Sequence, residues 1–215
     1  MPDRAGEPRP GAALLRAFAL LLLPLLAACA EPRPFAPEVE VTRALYPNGG
    51  DTKLTLFTVV NNRTGAGDHS ALLISGAHRI LYDPAGSWFH TSAPQRNDVH
   101  YGISTRLEQI YLGYHARATH HVVVQTIPVT PETAALAMRL AEEARPAPAG
   151  ACAIRTGGIL RRLPGLEGLP GSPFPRRLMN GVAELPGVTT RRVDVEDLSP
   201  DVLPRGPEAL AAQAG

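Results

Sequence analysis

Lysine is nearly absent from this chain: of its 21 cationic residues only Lys53 is not arginine. Together with 22 prolines and abundant alanine, this reads as coding bias rather than chemistry. Charge of one sign is also lacking. Twenty-one Lys and Arg stand against 20 Asp and Glu, for a formal charge of +1, which leaves no electrostatic footprint for a nucleic-acid partner. Aromatic residues make up 5% of the chain, with one tryptophan, and there are only two cysteines, Cys29 and Cys152. No repeat of about 20 to 50 residues appears, which excludes solenoids and propellers. At 215 residues the chain suits one globular domain better than two.

The longest apolar stretch is short. Arg4, Arg9 and Arg16 precede a run from Ala17 to Leu26, interrupted by Pro24 and closing on Leu26-Ala27-Ala28-Cys29. A spanning helix needs roughly twenty apolar residues and this run has about ten, so it reads as a secretory signal over residues 1 to 28. The Leu-Ala-Ala-Cys ending resembles the bacterial lipoprotein signal. That resemblance implies cleavage before Cys29 and a diacylglyceryl thioether on its sulfur. Two acyl chains and an N-acyl group hold a protein stably, at roughly 0.8 kcal/mol per buried methylene. Ala30 follows where an Asp would resemble an inner-membrane retention signal, so the resemblance implies the periplasmic face of the outer membrane. Removing residues 1 to 28 takes away Arg4, Arg9, Arg16, Asp3 and Glu7, leaving 18 charges of each sign. With Cys29 blocked, Cys152 has no partner for a disulfide within the chain. A lone thiol in an oxidising compartment is either buried and inert or kept for its reactivity.

Beyond the signal, residues 29 to 40 read as the lipidated cysteine and a spacer with Pro32, Pro34 and Pro37. Strands are expected over 54–60, 70–75, 79–83 and 121–128, the second and third joined as a hairpin through Gly76-Ala77. Residues 84 to 105 read as a long loop, with a short helix over 104–114. Thr130-Pro131-Glu132 opens a helix to about Ala144, with Thr as N-cap and Pro in the first turn. A second helix is expected over 152–163, its interior Gly157-Gly158 pointing to close packing. A third short helix follows over 174–185, residues 186 to 215 are mostly polar or Pro-bearing, and 196 to 215 form a Pro/Ala-rich tail.

Cys152 at a helix head is chemically loaded, because free backbone N–H groups and the positive end of the helix dipole stabilise a thiolate. His69 opens a strand after a Gly/Asp turn, and Asp83, 14 residues later, lies at the far end of the hairpin's second arm, back beside it. Nucleophile, general base and ring-holding carboxylate are thereby available. The run His69-Ser70-Ala71-Leu72-Leu73-Ile74, with Gly76 and Ile80-Leu81-Tyr82-Asp83, resembles the His-bearing hairpin of papain-like cell-wall peptidases of the NlpC class. The Cys helix follows the His strand here, an order that resembles the circularly permuted branch containing lecithin:retinol acyltransferase-like proteins. The resemblance covers residues 53 to 163. It implies a permuted papain-like α+β domain over 41–195, an antiparallel sheet with helices packed on it.

The implied activity is that of a Cys-His hydrolase or acyltransferase, without cofactor, acting on peptidoglycan peptide amides or lipid acyl groups. The alternative is a non-catalytic envelope lipoprotein binding a wall fragment or protein partner. Other histidines compete weakly. His115, His120 and His121 have the spacing of a metal cluster, yet adjacent strand residues 120 and 121 point to opposite faces, which favours solvated or hydrogen-bonded roles. His90 and His100 read as solvated loop residues, His78 as turn surface, and Trp88 with Phe89 as a loop anchor packed on the core.

Overall fold

A computed structural model describes residues 34–204. The signal, Cys29, the first residues of the spacer and the last residues of the tail lie outside the described part. Within it, seven strands form one antiparallel sheet and five α-helices pack on it, an α+β fold. In chain order the elements are α1 (Glu38–Ala44), β1 (Lys53–Asn61), β2 (Gly67–Ser75), β3 (Arg79–Tyr82), β4 (Gln95–Arg96), β5 (Val99–Tyr101), α2 (Thr105–His115), β6 (His120–Pro128), α3 (Pro131–Glu142), α4 (Cys152–Leu160), α5 (Pro175–Ala183) and β7 (Thr189–Val193). The strand order is β4-β5-β3-β2-β1-β6-β7.

The strands at the sheet's centre are apolar on both faces, so they read as continuous hydrophobic runs rather than alternating ones. From β1 and β2, Leu54, Leu56, Leu72 and Ile74 join one core with Met138, Leu140, Ile159, Leu160 and Leu178 of α3, α4 and α5. Their sequence neighbours Phe57, Val59, Ala71 and Leu73 join a second core with Leu107, Tyr111 and Leu112 of α2. The period of two distributes one strand between two layers. Residue 69 therefore shares the α2 side of the sheet with residues 71 and 73, while α4 packs on β2 from the other side.

Three expected boundaries are corrected. The spacer does not extend to residue 40: Asn97 donates its N–H to Pro34 O at 2.8 Å, Ala36 donates to Gln95 O at 2.9 Å, and α1 buries Val41. Prolines hold this segment extended, which suits it to line the short β4 edge. The segment 84–105 is not all loop, since β4 and β5 lie inside it, strands too short to carry a periodicity. The polar tail is not free either, because β7 pairs with β6 from Thr189↔Thr126 to Val193↔Val122, and Leu198 and Val202 are buried beyond it. An exposed Thr-Thr-Arg-Arg stretch looks like a tail by composition, but it is what an edge strand needs on its solvent side. Helices α3 and α4 end at Glu142 and Leu160, each a little before the expected stop. Of the paired glycines in α4, Gly157 faces Leu178 of α5 and Gly158 faces open space.

Candidate active site

His69, Asp83 and Cys152 come from three elements and meet at one end of β2. Strand β2 begins at Gly67, so His69 lies within the strand rather than at its start. The β1–β2 register slips there: Val59 pairs with His69 and Val60 with Gly67, leaving Asp68 as the extra residue of a bulge. A bulge breaks the alternation of side chains, and both Asp68 and His69 line the same cavity.

Asp83 follows directly on β3 and starts the turn Asp83-Pro84-Ala85-Gly86, closed by Gly86 N–H donating to Asp83 O at 3.1 Å. Pro84 presets the first turn position, while Ala85 takes φ 58°, a left-handed conformation that costs an alanine energy. Gly86 is there for space: a Cβ on it would stand 1.9 Å from Asp83 Oδ2. The carboxylate is fully buried and accepts twice on Oδ1, from His69 Nε2 at 2.6 Å and from the Tyr111 hydroxyl at 3.0 Å.

With Nε2 held by Asp83, the other ring nitrogen of His69 is left for the thiol of Cys152, its second side-chain partner. Cys152 is the first residue of α4, and the cap position is Ala151, whose side chain cannot compete for the first-turn N–H groups. The main-chain N–H groups of Ser70 and Ala153 act on its sulfur so as to favour the thiolate. Burial pushes the Cys152 thiol up, but the hydrogen bond and charge of His69 and these two N–H groups outweigh it and bring it below the usual thiol value. For His69 burial acts downward and is overcome by the Asp83 carboxylate and Cys152, so the imidazole is raised. Asp83 resists the upward push of burial through His69 and is held low. All three directions favour thiolate, imidazolium and carboxylate in a row.

Further rings, those of Tyr111, His115 and His100, stand around the His69–Asp83 pair. His115 stacks parallel to His69, with ring centroids 5.7 Å apart. Its Nδ1 donates to Tyr111 O at 3.0 Å, and burial followed by the His69 charge lowers it to about 4, so it is neutral. His100, expected in a solvated loop, is instead buried on β5 at 1% exposure, and burial lowers it to about 4 as well. Trp88 is packed on the core as expected, edge-on to Tyr111 and His100, whereas its neighbour Phe89 is exposed.

The three histidines of the cluster do not converge. His115 serves the α2 main chain, His120 donates from Nε2 to Asp68 at 2.9 Å, and His121 contacts Asn62 at the surface. Among the described residues no three His, Cys, Asp or Glu stand close enough to share a metal ion. The sequence reading overlooked Asp68, Tyr111, Arg117 and the place of His115 and His120 around the site. The four-residue spacing of Tyr111 and His115 on one helix was a legible signal, since it puts both on one face. Comparison of the chain with protein-family models, curated proteins and solved structures finds no match.

Proposed function

We propose that this chain is a lipid-anchored envelope protein whose domain is papain-like and permuted, carrying a cysteine-dependent acyl-transfer site. The observation that carries the reading is the Cys152–His69–Asp83 line, with a buried 2.6 Å imidazole–carboxylate hydrogen bond at one end and a thiol on an uncapped helix head at the other. In the proposed mechanism the Cys152 thiolate attacks an acyl carbonyl carbon, and main-chain N–H groups at the head of α4 stabilise the oxyanion. His69 gives its proton to the departing amine or alcohol, leaving a thioester. It then takes a proton from water, or from an acceptor alcohol or amine, as that nucleophile releases the acyl group. Asp83 keeps the ring oriented and stabilises its cationic form. Peptide amides of the cell wall and acyl esters of lipids are the two substrate classes this chemistry serves. Cys29 would supply the anchor.

Cys152 should react with iodoacetamide at pH 6 to 7 in the native protein faster than a free thiol of ordinary pKa, about 8.5. The excess rate should be lost in His69→Ala, fall less in Asp83→Asn, and all labelling should vanish in Cys152→Ser. Palmitate should enter the wild-type chain and not Cys29→Ser. A Cys152 that labels only after denaturation would overturn the enzyme reading in favour of a binding protein.

A further inference from the structure

One wall of the His69 site is a polar cavity that the proposed triad chemistry does not use. Its volume is about 160 Å³, and besides His69 its polar lining is Asp68, Ser87, His115, Arg117 and His120. Its polar lining suits a polar group better than an acyl chain.

Charge within the cavity is unevenly answered. Asp68 is engaged by His120, whose Nε2 donates to it at 2.9 Å. Arg117 has no carboxylate within salt-bridge distance among the described residues, and its buried Nε has no hydrogen-bond acceptor. The contact recorded for its guanidinium is the face of Tyr114, 5.8 Å away. A partly desolvated guanidinium with unused donors is a receptor for an oxyanion, which it can grip with two parallel N–H bonds.

The residue is also held in place. Arg117 and His120 exchange both main-chain bonds, at 2.9 and 3.0 Å, so their side chains leave the Ala118-Thr119 turn on one side. Asn62 pins the turn to the end of β1, its N–H donating to Thr119 O at 2.8 Å and its side-chain amide to Ala118 O at 3.1 Å. The charge of Arg117 reaches the ring that stacks on His69, being one of the influences that lower His115. A doubly charged phosphate in this space would meet the carboxylate of Asp68, whereas a singly charged carboxylate pairs with Arg117 at less cost.

We infer that this cavity, which shares His69 with the proposed acyl-transfer site, is a subsite for a carboxylate borne by the substrate, with Arg117 as the receptor. The inference rests on Cys152 being the nucleophile and adds a specificity to it.

The test uses the native full-length chain and two alkylating agents of similar size, anionic iodoacetate and neutral iodoacetamide. Each forms an S–C bond at Cys152 as iodide leaves, and both sample the same thiolate population, so the ratio of their rates reports the local field on the reagent. At low salt, Arg117→Gln should lower the iodoacetate-to-iodoacetamide ratio roughly three- to ten-fold, the size of one unit charge acting across a partly screened cavity. Arg117→Lys should restore part of it, and removing an exposed cation on α3, Arg139→Gln, should leave it unchanged. Acetate should slow iodoacetamide labelling of the wild type more than inorganic phosphate does at equal ionic strength, and this protection should be lost in Arg117→Gln. An unchanged ratio in a folded Arg117→Gln, or the same fall in Arg139→Gln, overturns the subsite. Stronger protection by phosphate overturns its assignment to a carboxylate. A Cys152 inert to both agents overturns the nucleophile itself, a different result from an active thiol with an unchanged ratio.

Discussion

At the scale of single residues, the site depends on a buried carboxylate that two donors share. Against the upward push of burial, Asp83 keeps its charge through His69, which with Tyr111 donates to its Oδ1, while its Oδ2 occupies space that exists only because residue 86 is glycine. Gly86→Ala should therefore act on the site while leaving every residue of the proposed triad unsubstituted. The new methyl must displace the Asp83 carboxylate or the turn. A cost of about 2–4 kcal/mol is expected, from overpacking and from weakening a buried ion pair. Urea unfolding would measure the loss, and iodoacetamide labelling of the folded fraction should slow as His69 loses its anchor. A variant with wild-type stability and labelling would show that Asp83 has slack the contacts do not suggest.

At the scale of elements, the sheet depends on a strand that composition disguises. Strand β7 presents Thr189, Thr190, Arg191 and Arg192 to solvent while Val193 closes onto the α2-side core, and Leu198 and Val202 follow it there. Each of these three apolar side chains contributes roughly 1.5–3 kcal/mol when buried. Their sum is comparable with the whole stability of a typical domain, about 5–15 kcal/mol. A chain ending at residue 186 is expected to lose most of its cooperative urea transition and to aggregate through the uncovered edge of β6. A soluble, cooperatively folding truncation would contradict the place of β7 in the sheet. The same region shows the limit of reading the sequence: a five-residue edge strand of Thr and Arg has too little periodicity to separate it from a polar tail.

At the scale of the whole molecule, the buried histidines set opposing pH dependences. His100 and His115 are lowered to about 4 in the folded protein against about 6.5 unfolded. Between these values the unfolded chain binds more protons, so their contribution is lost as pH falls through that window, on the order of 1–3 kcal/mol each. His69 is raised, so its contribution is fully present below about 6.5 and is lost as pH climbs through its elevated native value. Asp83 is lowered to about 2, and its contribution is present above about 3.9 and lost on acidification; it belongs to the same pair as His69 and counts once. Maximum stability is expected near pH 6.5–7.5, with a decline of a few kcal/mol by pH 4.5 in urea titrations. His115→Gln should flatten the acid side. Stability that is level from pH 7 to 4.5 would mean that these rings are not held neutral and buried.

Local patterns in the sequence determined most of the elements. The apolar runs of β1, β2, β3 and β6, the Thr130-Pro131 start of α3 and the place of Cys152 at a helix head each follow from propensity and capping acting over a few residues. The pairing of His69 with Asp83 was also within reach, because a hairpin returns its second arm to the start of its first. Tertiary structure alone decided the rest. Whether α4 brought its thiol to that histidine depended on a helix some 80 residues away packing against β2, which no local pattern encodes. The Asp68 bulge, the stacking of His115 on His69 and an Arg117 that lacks a carboxylate partner among the described residues arise where β1, β2, α2 and β6 end together. Such a meeting is fixed by the packing of two cores on opposite faces of one sheet, and contacts of that kind leave no period in the chain that makes them.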